Sequence, residues 1–199
     1  MKHAPHRLIV AISGASGAIY GVRALEMLRG TGIEVHLIVT RSAQITLAQE
    51  LRLKTADLRH LAHAVHKPDD IAASISSGSF ITMGMLVAPC SIRSLSEIAT
   101  GVTSGLLSRA ADVVLKERRK LVLMVRETPF HLGHLRSMTQ VTEMGAIVMP
   151  PLPAFYIKPK SVDAIIDHSV GRALDLFGVD TGNVSRWGET VGLSDTPPG

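Results

Sequence analysis

RLIVAISGASGAIYGVRALEML, residues 7–28, passes from an apolar run into a cluster of small residues and then into a segment of helical periodicity. The run LIVAI at 8–12 reads as a buried strand, and apolar residues between Ala18 and Leu28 recur at helical spacing. Between them, Ser13-Gly14-Ala15-Ser16-Gly17 forms a turn that exposes backbone N–H groups at a helix N-terminus. Strand, glycine-containing turn and helix in that order open a βαβ unit. The free N–H groups make the turn an anion cradle, which specifies a phosphate but not the molecule that carries it.

The same rhythm extends along the chain. Near-continuous apolar blocks follow at 34–39 (EVHLIV), 85–90 (MLVAPC), 121–125 (LVLMV) and 146–149 (AIVM), as expected of parallel strands covered on both faces. Helical patterns separate them at 42–53, 106–118, 132–144 and 162–177, and a further helix is expected to begin near Ile92. The expected fold is therefore α/β, a doubly wound, Rossmann-like three-layer sandwich around a mostly parallel sheet. Residues 1–189 are expected to form one domain and 190–199, ending in SDTPPG, a flexible tail. Segment 54–80 is irregular, with SISSGSF at 74–80 read as a loop. PPLPAFYIKPK at 150–160 is a proline-stiffened exit that holds Tyr156 in place.

Composition narrows the function. The 199 residues include one cysteine, which cannot form an internal disulfide, and the apolar runs end well short of a membrane span. The apolar run near the N-terminus is too short for a secretory signal, so a cytoplasmic protein is expected. Lys+Arg 21 against Asp+Glu 17 gives a net charge of +4, enough to favour an anionic ligand. With four Phe, two Tyr and one Trp, the chain lacks the aromatics of a base-stacking surface, so no nucleic-acid partner is expected. KERRK at 116–120 reads as a solvated helix end, with Lys116 the one member placed to meet a ligand.

Ligands of such sheets bind outside the carboxyl ends of the strands. At the second strand end, Val39-Thr40-Arg41 lacks the acidic residue that grips an adenosine ribose, which disfavours NAD. Arg41 can instead meet the 2′-phosphate of NADP, or Thr40 can hydrogen-bond a flavin mononucleotide phosphate or ribityl chain. At the third strand end, Ser91 and Ser94 supply hydroxyls beside the first loop, and Cys90 reads as a small core residue. At the fourth, Arg126 and Glu127 place a cation next to a carboxylate that can trade a proton with a substrate phosphate. The histidines at 60, 63, 66, 131 and 134 lack the accompanying carboxylates or thiols of a metal site and read as polar-face residues; no metal is expected.

ISGASGAIYGVR (12–23), ISSGSF (75–80), PCSIRSLS (89–96), RAADVVLKERRKLVLMVRETPFHLGHLRSMT (109–139) and PLPAFY (151–156) together closely resemble the flavin prenyltransferases, earlier named 3-polyprenyl-4-hydroxybenzoate carboxy-lyases. The resemblance runs from Arg7 to about Trp187. It implies a flavoprotein-type fold and transfer of a dimethylallyl group from dimethylallyl monophosphate to N5 and C6 of reduced FMN. The product, prenylated FMN, would serve a partner decarboxylase acting on unsaturated or aromatic acids, including the ubiquinone precursor. It further implies a metal-independent homo-dodecamer with active sites at subunit junctions.

Carried over by position, the resemblance places Gly14, Ala15, Ser16, Thr40, Ser91, Ile92, Arg93, Ser94 and Arg126 around FMN. Tyr156, Arg172 and Lys116 would grip the allyl phosphate, joined by Arg109 and Glu127 from neighbouring subunits. Glu50 matches an acidic position near the flavin, so the catalytic set is Ser16, Glu50, Arg109, Lys116 and Glu127. Ser104-Gly105 departs from the Asp-Gly or Asn-Asn that relatives often carry. The competing expectations are a cysteine-type FMN-dependent decarboxylase, whose histidine base has no match here, and another FMN- or NADP-binding oxidoreductase.

Overall fold

The structure, a computed structural model, describes residues 6–192. Six strands, β1 (Arg7–Ile12), β2 (Glu34–Val39), β3 (Ala64–His66), β4 (Gly84–Cys90), β5 (Lys120–Val125) and β6 (Ile147–Val148), form one sheet in the order β3-β2-β1-β4-β5-β6. Every pairing is parallel, so "mostly parallel" understates the sheet.

Alternation along β1 sorts the two faces. Leu8, Val10 and Ile12 face a core shared with α1 (Ala18–Leu28) and α6 (Val162–Asp175), whereas Ile9 and Ala11 face α3 (Ile92–Thr100), α4 (Leu106–Lys116) and α5 (Leu132–Glu143). Gly21 lets α1 lie close on β4, because a Cβ there would run into the Ala88 carbonyl oxygen and Ile12. The strand order reverses between β1 and β4, and the chain leaves both strands at the same edge. A crevice at that edge follows from topology.

Several expectations need correction. The helix expected over 42–53 is α2 (Arg41–Thr46) followed by a π-helical turn at Leu47–Leu51, closed by Arg52 in the left-handed region at φ 57°. Segment 54–80 contains a 3-10 helix at Thr55–Leu61 and the strand β3, whose three half-buried residues are too few to show a pattern. Helix α6 ends at Asp175, two residues before the expected end.

KERRK is only partly a solvated end: the Arg119 guanidinium donates to the carbonyls of Gly78 (2.6 Å) and Phe80 (2.8 Å), pinning the serine-rich loop. Of the expected tail, Val191 bridges Trp187, and residues 193–199 lie outside the described residues. No helix among the described residues is long and apolar enough to cross a membrane.

Candidate active site

At the crevice, β1 and β4 are tied together by Ser13. Its buried hydroxyl donates to the Pro89 carbonyl at 2.8 Å and accepts from the Ser91 N–H at 2.7 Å. That bond fixes where α3 starts. Ser91 caps α3 by accepting from the Ser94 N–H at 3.3 Å, and its hydroxyl donates to Ser94 Oγ at 3.2 Å. Across the crevice, Thr40 caps α2 by accepting from the Ala43 N–H at 3.1 Å, with its Oγ1 3.2 Å from Ser42 Oγ.

These elements enclose a cleft of about 480 Å³ whose wall includes Gly14, Thr40, Ser42, Ser91, Ser94 and Ser108. A Cβ on Gly14 would overlap the Ser42 side chain, so only glycine lets the first turn approach α2. Two carboxylates on the wall are neutralised locally. Asp69 pairs with Arg41 at 3.1 Å and Glu97 with Arg93 at 2.9 Å. What remains is a set of neutral hydroxyls at two capped helix ends, suited to phosphate oxygens and a polyol chain.

The first turn itself is arranged differently from the sequence expectation. The N–H groups of Gly17 and Ala18 both reach Glu50 Oε2, at 2.9 and 3.0 Å, so the chain's own carboxylate fills the start of α1. Burial opposes its ionisation, but hydrogen bonds from the Ser16 hydroxyl and these two N–H groups, with the charge of Arg126, hold the Glu50 carboxyl below its usual range. Arg126 also acts on Tyr20, whose phenol is pushed up by burial against that opposing charge. Arg126, Glu50, Ser16 and Tyr20 thus form a charged shoulder beside the hydroxyl cleft. Glu127 follows on the β5 exit and accepts from the Thr128 N–H at 2.9 Å.

The other carried-over residues are not gathered here by one chain. Arg109 pairs with Asp112 on α4 at 2.7 Å. Lys116 pairs with Glu117 at the far end of that helix, two turns or about 12 Å along the axis from Ser108. Tyr156 and Arg172 make a third group: Tyr156, in a 3-10 turn at Phe155–Ile157, meets His168 of α6, and Arg172 on the same helix donates to Asp175 at 2.8 Å. Burial works against Asp175 ionising, but hydrogen bonds from Arg186 and Arg172 outweigh it and lower its pKa. Ile92 packs its side chain into the α3–α4 core. Ser104 and Gly105, the departure from the common pattern, lie on the cleft wall.

The remaining candidates have structural roles. Cys90 is fully buried, and desolvation pushes its thiol up to about 12, which makes it a core residue and no nucleophile. The expectation of polar-face histidines holds for the exposed His63 and His131, which also accept backbone hydrogen bonds, and is corrected at His66. His131 Nδ1 caps α5, accepting from Gly133 N–H at 3.0 Å, His63 Nδ1 accepts from Val35 N–H at 3.0 Å, and His66 bonds the buried His36 at 2.9 Å. Ser42, Tyr20 and His168 have no counterpart in the sequence reading, which has Ser13 only as part of the first turn. For Ser42 a signal existed, a second hydroxyl two residues after Thr40 at a strand end.

A family model described as Flavoprotein matches residues 1–174. Flavin prenyltransferase UbiX of Escherichia coli (strain K12) is 59% identical over 174 residues, 87% of this chain and 92% of the relative. Among solved structures, AnUbiX (PadA1) in complex with FMN and dimethylallyl pyrophosphate aligns with a TM-score of 0.90 at 48% identity, covering 92% of this chain and 98% of that one. A dodecameric FMN-dependent Ubix-like decarboxylase from Escherichia coli O157:H7 aligns with a TM-score of 0.89 at 47% identity, covering 91% and 98%.

Proposed function

The chain belongs to the flavin prenyltransferase family, and from that premise we propose that it transfers a dimethylallyl group from dimethylallyl monophosphate to N5 and C6 of reduced FMN. The observation that carries the flavin half is the cleft at the β1/β4 reversal, with six hydroxyl side chains and an obligatory Gly14 on its wall. Its neutral donors fit an FMN phosphate and ribityl chain, and its carboxylates are already paired. FMN is the flavin in the AnUbiX complex, which supports the same choice here. Reduced FMN supplies the nucleophilic N5 and C6 positions.

The chain's residues then handle the donor. Lys116, Arg126 and Arg172 balance the charge that develops on phosphate as its bond to the allylic carbon breaks, and Tyr156 donates a hydrogen bond to the phosphate of the bound donor that is kept unchanged through the transition state. Arg109 joins this cationic set. Glu127 relays the protons of ring closure, one delivered to the allyl double bond so that its tertiary carbon can bond to C6 and one taken from C6 afterwards, the N5 proton leaving with the released phosphate, while Ser16 and Glu50 hold the first turn beside the flavin. Aromatic faces such as Trp187 stabilise positive charge on the allyl group.

Because Lys116, Arg109 and the Tyr156–Arg172 group lie apart on one chain, the site is completed by neighbouring copies in a homo-oligomer. The dodecameric relative supports twelve. We read residues 1–189 as one domain acting in the cytoplasm, with the product passed to a separate decarboxylase. Titration with FMN, FAD and NADP tests the cofactor, and donor-dependent phosphate release in the presence of reduced FMN tests the transfer. Tighter binding of NADP than FMN would overturn the assignment.

A further inference from the structure

His168 stands between two residues assigned to the allyl phosphate. It lies on α6 one turn before Arg172, and its Nε2 is 3.3 Å from the Tyr156 hydroxyl, with the two rings edge-on at 5.8 Å and 84°. Trp187 packs edge-on against Tyr156 at 5.6 Å. His168 is only 5% exposed, whereas Tyr156 is 43% exposed. A deeply buried ring therefore meets an accessible phenol at a single polar atom.

The other ring nitrogen decides the direction of that bond. His168 Nδ1 is buried and has no hydrogen-bond partner. A buried N–H without an acceptor is the costlier orphan, so the neutral ring carries its proton on Nε2 and leaves a lone pair on Nδ1. Burial and the nearby Arg172 charge keep the ring neutral, against the weaker pull of Asp175. Nε2–H then donates to Tyr156 Oη, and the phenol's own proton is directed outward. The opposite tautomer would consume that proton and turn oxygen lone pairs toward an incoming anion.

The geometry points to His168 as a positioning residue that presets Tyr156 as an outward hydrogen-bond donor to the phosphate of the allyl donor, an inference that rests on the function proposed above. Glutamine carries an amide nitrogen at the same remove from Cα as Nε2, and asparagine at that of Nδ1. His168→Gln thus keeps the donor where His168→Asn and His168→Leu lose it.

The test measures kcat and KM for the allyl donor, and FMN affinity, in the wild type, these three variants, Tyr156→Phe and the Tyr156→Phe/His168→Leu double variant. Loss of the preset donor is expected to raise donor KM by about tenfold in His168→Leu and His168→Asn, with kcat and FMN affinity near wild type. His168→Gln is expected within about threefold of wild type, and the double variant no worse than Tyr156→Phe. If His168→Leu does not fold, the Gln and Asn pair gives the same contrast. A wild-type KM in His168→Asn, equal losses in Gln and Asn, or multiplying losses in the double variant would overturn the inference while leaving prenyl transfer intact. A wild type that makes no prenylated flavin would overturn both.

Discussion

Glu50 Oε2 lies 2.9 Å from the Gly17 amide nitrogen, so the N-terminus of α1 is neutralised by a carboxylate 33 residues away in sequence. Two N–H groups of the turn that the sequence offers to a phosphate, those of Gly17 and Ala18, are held by the protein itself. The hydroxyl cleft next to it is left for the ligand.

Glu50→Gln tests that relationship through pH. Because the folded pKa is depressed, the carboxylate's stabilisation is complete above its ordinary value of 4.5 and is lost as pH falls below it toward the folded value. The wild type is expected to exceed the variant by about 0.5–1 kcal/mol at pH 7, with the gap closing below pH ~4. Thermal melts from pH 7 to 3 check it; a gap independent of pH would show that the charge has no part.

Two glycines hold close approaches, one at the cleft and one in the core. Gly14→Ala is expected to spoil FMN binding and to cost about 1–3 kcal/mol, because its Cβ would overlap Ser42 Cβ and push α2 off the cleft wall. Gly21→Ala pushes α1 off the Ala88 carbonyl and is expected to cost a similar amount, about 1–3 kcal/mol. Denaturant unfolding should show both variants destabilised, and FMN titration the larger loss in Gly14→Ala.

Ser91→Ala and Thr40→Ala each remove a helix cap and a cleft hydroxyl. Each is expected to cost about 0.5–2 kcal/mol of stability and to weaken FMN binding. Chemical denaturation with and without FMN checks this. Ligand stabilisation equal to wild type would place the flavin phosphate elsewhere.

Legibility from sequence followed burial and locality. Strands β1, β2, β4 and β5 were readable because nearly every residue in them is buried, giving continuous apolar blocks. Strand β3 pairs through three half-buried residues and left no such trace. Thr40, Ser91 and Ser94 were readable as hydroxyls at strand ends, where topology places ligands. Glu50 at the start of α1 and His168 beneath Tyr156 are long-range or cross-element contacts that no local pattern announces. The separation of Lys116 from Arg172 is likewise a property of helix length and direction, not of composition.

That separation predicts complementation. Lys116→Ala and Arg172→Ala homo-oligomers are each expected to lose most activity, and dissociating and reassembling them together should restore part of it, since mixed junctions regain an intact set. Activity assays across mixing ratios check this; no recovery in verified mixed oligomers would place both residues in the same chain's site or in none.

The most direct measurement is the mass of the flavin after anaerobic incubation of the protein with reduced FMN and dimethylallyl monophosphate, without added metal. A gain of one five-carbon unit with stoichiometric phosphate release is the expected result. Flavin unchanged in mass, with protein that demonstrably binds FMN, would contradict prenyl transfer as the function of this chain.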